Sequence, residues 1–314
     1  MSSASAASRQ ANPGPARRRS PSAPRVRAHG EQPFFAEDSL IREVQRERLV
    51  AISGARALFM QAAHPVAFVG FFSHSASVDD PHPRLARTAL AVNTVIYGSE
   101  RQAREVQEIV GSMHARVRGS LKEPVGPFPA GTPFRGDDPD LLLWILAAFI
   151  DSSYRAFERF VRPLSPAERE ELWQQWRQVG EIFGLGEDDM PSSYAVHLEY
   201  MQGMLESGRL VVTDDARALS RRVILNPPLP AALLPLKELI NQVTIDSLPG
   251  DLQRQFGFVP VPGRGLTLGA LGTWWRLVAG PLAPSVVRHV PPFVMPAPGR
   301  GYAEIAELVQ QQMS

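Results

Sequence analysis

A chain of 314 residues has room for one large folded unit or two small ones. Its apolar fraction of 44% suits a soluble globular protein, and a net charge of +1 creates no overall field to draw in nucleic acid or a membrane. The absence of cysteine excludes disulfides, iron–sulfur clusters, thiolate metal sites and cysteine nucleophiles together.

In chain order, residues 1 to about 32 are rich in Ser, Ala, Pro and Arg and read as a disordered basic tail with no apolar run behind its arginines, unlike a secretory signal. The folded part, 33–314, is expected as a single large helical domain. Asp38 or Ser39 can cap a first helix running toward Ala63, with Leu40, Val44, Leu49, Ile52, Leu58 and Phe59 on one side and Gly54 as a point of interruption. His64 before Pro65 closes it. A partly apolar, partly turn-like stretch follows, ending in a loop at Asp80, Pro81 and Pro83.

Arg84 to Tyr97 predicts the next helix, stopped at Gly98. Ser99 can cap another that runs to Gly119, with Val106, Ile109, Val110, Met113 and Val117 as its apolar stripe. A Pro- and Gly-rich loop over 122–139 leads into a helix from Asp138 that is apolar all round in its first half, and therefore central. Ser165, Pro166 and Glu168 spell a capping box with proline at the first helical position. Further helices are expected within 192–208, 213–225 and, as a pair, 233–257; a proline-rich tail with Trp274–Trp275 ends in a helix near Tyr302 to Gln311. Strand signals are weak throughout, so the fold class is all-α. The longest apolar run, "LLLWILAAFI", is too short to span a bilayer, and the protein is expected to be soluble and cytoplasmic.

Three places could carry chemistry. Arg84, Arg87 and Thr88 share a face at the start of their helix, where the dipole disfavours positive charge. A solvated helix start, a salt bridge to Glu100 or Asp80, and a polar claw over something bound in the core all remain open. His114 lies at the edge of the apolar stripe; it is either a core histidine bonded to a carbonyl or an inward imidazole of the kind that ligates haem iron. His64, held in extended backbone before Pro65, is a second ligand candidate. His74 and His82 with Asp79 and Asp80 match no standard metal spacing. There is no HExxH, P-loop, GxSxG or dinucleotide-binding glycine motif.

The segments "QAAHPVAFVG", "DPHPRLARTALAVNTVIYG", "MHARVRG", "DPDLLLWILAAFIDSSYRAFERFVRPLSPAERE" and "LPGDLQRQFG", in this order and spacing, resemble the family of MpaB-type oxygenases and latex-clearing rubber oxygenase catalytic domains, over about residues 36–258. The resemblance implies an all-α, globin-like core with additional helices around one haem b (iron). It implies dioxygen chemistry on a small apolar, isoprenoid or lipid-like substrate, with a reductase as electron donor. His114 then corresponds to the proximal iron ligand, and Arg84 and Thr88 to the polar pair of an Arg-x-x-x-Thr motif beside the haem. Arg84 and Arg87 would stabilise negative charge developing on oxygen, and Phe68, Phe71 and Leu146 would line the substrate pocket.

Three positions depart from the pattern. Arg87 replaces a lysine that can coordinate iron; a guanidinium has no lone pair to donate. "PVAFVGF" lacks the glutamate proposed as a base. Leu146 stands where many relatives carry a histidine. A non-catalytic haem- or lipid-binding protein, a peroxidase-like activity, and a helical domain without cofactor are the alternatives.

Overall fold

The structure, a computed structural model, describes residues 32–72, 82–227, 230–289, 301–303 and 307. The basic tail, His74, Asp79, Asp80, the side chains of Phe71 and His82, and most of the expected last helix fall outside the described residues.

The chain is all-α apart from one small hairpin among the described residues. The single helix expected before His64 is three: α1 (Leu40–Gln45), α2 (Arg48–Ile52) and α3 (Gly54–Ala62). The first break is set from far away. Glu47 is buried with extended backbone, and its carboxylate meets Arg288 at 3.1 Å and His289 at 3.4 Å. The second falls at Ser53, whose hydroxyl donates back to the Val50 carbonyl. Ser39 holds the N-cap position of α1, but its hydroxyl makes no capping bond.

Pro65 does more than stop α3. It opens α4 (Pro65–Phe72), where proline suits the first helical position, so half of the stretch expected to be irregular is helical. α5 (His82–Tyr97) and α6 (Glu100–Arg116) then form a helical hairpin around Gly98 and Ser99. Ser99 and Gln102 complete a capping box at that turn, with Ser99 N donating to Gln102 Oε1 at 2.9 Å.

α6 stops three residues short of the expected Gly119. Val117 turns extended and feeds β1 (Arg118–Ser120), which pairs antiparallel with β2 (Pro133–Arg135). The tip of the Phe134 ring sits against Gly119, where an added Cβ would come within 2.4 Å of it. The hairpin is thus specified by one glycine and one aromatic ring fifteen residues apart, too small a signal for hydrophobic periodicity to reveal.

α7 (Pro139–Phe160) is the centre. Asp138 caps it, accepting from Asp140 N at 3.0 Å and Leu141 N at 3.4 Å, while neighbouring Asp137 pairs with Arg135 instead. One face of α7, with Leu143, Leu146, Ile150, Tyr154 and Phe157, packs with α1, α5, α6 and α8 (Pro166–Ile182). The opposite face, with Trp144, Ala147 and Ala148, packs with α3, α4, α9 (Tyr194–Glu206), α10 (Asp214–Ser220), α11 (Leu234–Ser247) and α12 (Gly250–Gln255). Each large side chain buried here contributes roughly 1.5–3 kcal/mol.

Beyond α12 the structure adds elements not expected from sequence. These are α13 (Arg264–Trp274), a π turn over Trp275–Ala279, α14 (Gly280–Leu282) and α15 (Ser285–Arg288). No helix among the described residues is long and apolar enough to cross a membrane.

Candidate functional site

The hairpin of α5 and α6 does the positioning. The two helices have 16 and 17 residues and share one turn, so the start of α5 and the end of α6 lie side by side, about 21 Å from that turn at 1.5 Å per residue. Arg84 is fourteen residues before Gly98 and His114 fifteen after Ser99. The two meet at the same height, close enough for the Arg84 charge to act on the imidazole.

His114 is half-buried. Its Nδ1 is shut off from water and makes no hydrogen bond among the described residues. Burial first, and the Arg84 charge second, push its pKa below the usual histidine value, against a smaller pull from Asp137. The ring is therefore neutral at physiological pH and keeps a lone pair. The apolar stripe of α6 emerges from the core here: Val106 and Val110 are buried, Ile109 is half-buried and Met113 is exposed. Apolar surface thus flanks the imidazole.

The end of α6 is clamped from below. Gly136 N donates to Val117 O at 2.8 Å, and an added Cβ at Gly136 would come within 2.7 Å of the His114 carbonyl. Only a residue without a side chain lets the returning strand approach so closely.

Arg84 is half-buried, and its pKa is pushed down to about 10 by burial and by the like charge of Arg87 one turn on. Glu100 does not compensate them: it begins α6 at the far end of α5 and faces Arg104. Asp80 lies outside the described residues. Thr88 is exposed and its hydroxyl donates to the Arg84 carbonyl at 3.1 Å, so it is tied to its own helix. Further along α5, Val92 is half-buried and Val95 fully buried.

The other histidines are engaged differently. His64 is buried, its Nδ1 accepts from Ala67 N at 3.3 Å, and its ring lies 5.2 Å from Phe128. Burial, then Arg209, push it down to about 4. It caps α4. His197 is fully buried and stacks on Trp173 at 4.4 Å; both ring nitrogens lack hydrogen-bond partners among the described residues, and burial pushes it down to about 4. No three His, Asp or Glu side chains among the described residues converge on a metal-sized space.

The expected pocket lining does not assemble. Phe68 belongs to one apolar cluster and Leu146 to the other, because they face opposite sides of α7. Leu146 packs toward Gly180 and Met190 between α7 and α8. Sequence reasoning also missed Tyr302. Its N–H donates to Glu105 Oε2 at 2.7 Å, its ring is buried in the same cluster as α5 and α6, and the Arg87 charge reaches its phenol. Nothing near it in sequence announces that return.

A family model described as "ER-bound oxygenase mpaB/B'/Rubber oxygenase, catalytic domain" matches residues 41–278. No curated protein and no solved structure matches the chain.

Proposed function

The chain belongs to this family of oxygenase catalytic domains, and from that premise we propose that it is a haem b-dependent oxygenase using dioxygen on a small apolar, isoprenoid- or lipid-like substrate. One observation carries the reading. His114 is a neutral, half-buried imidazole with an orphaned ring nitrogen, set beside Arg84 and exposed apolar surface. A haem asks a protein for one such ligand, an apolar wall and nearby cations for its propionates, and these residues fit it.

In this reading His114 would hold the iron. Bound haem supplies the oxygen chemistry. Arg84 and Arg87 present fixed positive charge to negative charge that develops on oxygen, and burial of Arg84 strengthens that effect by excluding water. Arg87, always protonated and without a lone pair, acts as a donor and not as a ligand. Thr88 steadies the first turn of α5 through the Arg84 carbonyl. His64, whose Nδ1 already accepts from Ala67, keeps its part in the cap of α4. A reductase supplies electrons where turnover requires them.

The test is an absorption spectrum of protein produced with haem supply, beside His114→Ala. The expected result is a strong Soret band that reddens on reduction and is lost or displaced in the variant. A band unchanged in the variant would move the ligand elsewhere; no band after haem titration would end the reading. Oxygen uptake with isoprenoid or fatty substrates then separates an oxygenase from a protein that only binds haem or lipid.

A further inference from the structure

A cleft of about 710 Å³ opens far from His114, between α2, α3, the second half of α7, α9 and α11. Sites for small organic ligands commonly span about 300–1,000 Å³. The separation from His114 runs along α7. Gly136, which touches the His114 carbonyl, comes just before that helix, whereas Arg155 in the cleft stands sixteen residues past Pro139, about 24 Å further on. The cleft walls are largely apolar: Ile52, Leu198, Met201, Leu205, Val243 and Leu248 face it.

Its charges do not balance. Arg56, Arg155 and Arg159 line the cleft with Asp151, Glu158 and Asp246. Asp246 is taken by Arg159 at 3.1 Å. Glu158 is taken by Arg169 at 2.7 Å and by Leu164 N at 3.3 Å, both outside the cleft. Asp151 is left to serve Arg56 and Arg155 together. Arg155 reaches it only through Nε, at 3.1 and 3.0 Å, so both terminal nitrogens of this guanidinium lack a partner among the described residues. One positive charge and one forked pair of donors remain. A second group is also left over. The hydroxyls of Ser53, Ser152 and Ser247 each donate to a backbone carbonyl. Thr244, in the same wall and only 3% exposed, gives its hydroxyl to no partner among the described residues. A withdrawn hydroxyl is costly to leave unpaired.

We propose that this cleft is a second ligand site, separate from the His114 end, for an amphiphile with one carboxylate head and an apolar chain. The terminal nitrogens of Arg155 take the carboxylate as a fork, the geometry in which arginine binds that group best. Thr244 offers its hydroxyl to the same ligand, and the apolar walls cover the chain. A small inorganic anion would leave those walls wet. A cationic amphiphile would meet the excess positive charge. The proposal rests neither on haem nor on the reaction at His114.

The experiment is calorimetric titration of the full-length protein with dodecanoate below its micellar concentration, beside dodecyltrimethylammonium and acetate. Dodecanoate is expected to bind one to one, roughly tenfold or more tightly than either comparison compound. Arg155→Gln alters a side chain that is 60% exposed. It should keep its melting temperature and weaken dodecanoate binding by roughly tenfold. Thr244→Val keeps the shape of the wall and should weaken binding to a lesser degree. His114→Ala should bind dodecanoate as the wild type does, whatever its absorption spectrum shows. Four results would overturn the proposal: no wild-type binding of dodecanoate, equal binding of the cationic amphiphile, unchanged affinity in Arg155→Gln, or loss of binding in His114→Ala.

Discussion

Arg56 and Arg84 are both withdrawn from water, and they are handled in opposite ways. Arg56, on α3, lies 2.8 Å from Asp151 of α7, donates from Nε to the Ser247 carbonyl at 2.8 Å and from a terminal nitrogen to Ser152 Oγ at 2.7 Å. Burial works to raise the Asp151 carboxyl, but Arg56 and Arg155 outweigh it and hold the pKa below the ordinary value. Arg84 has another arginine beside it, at the end of a helix whose dipole repels both. The first arrangement closes on itself and binds α3, α7 and α11 together. The second concentrates charge of one sign next to a neutral histidine. The closed pair serves architecture; under the proposed function, the Arg84 end is where developing negative charge would be met.

The contrast can be tested most forcefully at its closed end. Asp151→Ala leaves Arg56 buried without its counter-charge and should lower unfolding free energy by about 3–5 kcal/mol in urea titrations. A loss below about 1 kcal/mol would show that water enters and screens the pair.

Next in size is the response to acid. His64 and His197 titrate near 6.5 when unfolded and at about 4 when folded, so the unfolded chain binds more protons between these values. Their contribution is complete above pH 6.5 and is lost as pH falls toward 4. By pH 5 each should have removed about 2 kcal/mol. His197→Phe, which retains an aromatic ring against Trp173, should flatten stability against pH by its share.

Gly136→Ala sharpens the open end. The new methyl must push aside the His114 carbonyl, costing about 1–3 kcal/mol, and should displace any Soret band that depends on His114. Smaller still, Arg84→Met relieves repulsion from Arg87 and should cost less stability than Asp151→Ala, about 1–2 kcal/mol. Oxygen uptake, if Arg84 acts as proposed, should fall far more. A large loss of stability with unchanged uptake would place Arg84 with Arg56 as architecture.

What the sequence disclosed follows the range of the interactions. The starts of α6, α7 and α8 were legible because Ser99, Asp138 and Ser165 act on backbone two or three residues away. The break at Glu47 was not, because its partners Arg288 and His289 stand some 240 residues on. His114 stood out as a lone imidazole on an apolar stripe. Its surroundings did not: Gly136 and Tyr302 reach α6 only through the hairpin and the returning C-terminal segment. Glu100 was misjudged as a partner for Arg84, although the length of α5 separates them. The helices α13 to α15 escaped notice because glycine and proline interrupt them and their apolar residues face outward.

Because α7 presents apolar side chains to both clusters, neither cluster can melt without stripping one face of the same helix. The middle of α7, around Ala147 to Ser153, should therefore be the slowest segment to exchange amide hydrogens, opening only when the whole molecule unfolds. The hairpin end that carries Arg84 and His114 is only half-buried, so its amides should exchange sooner, through openings that leave the centre of α7 shut.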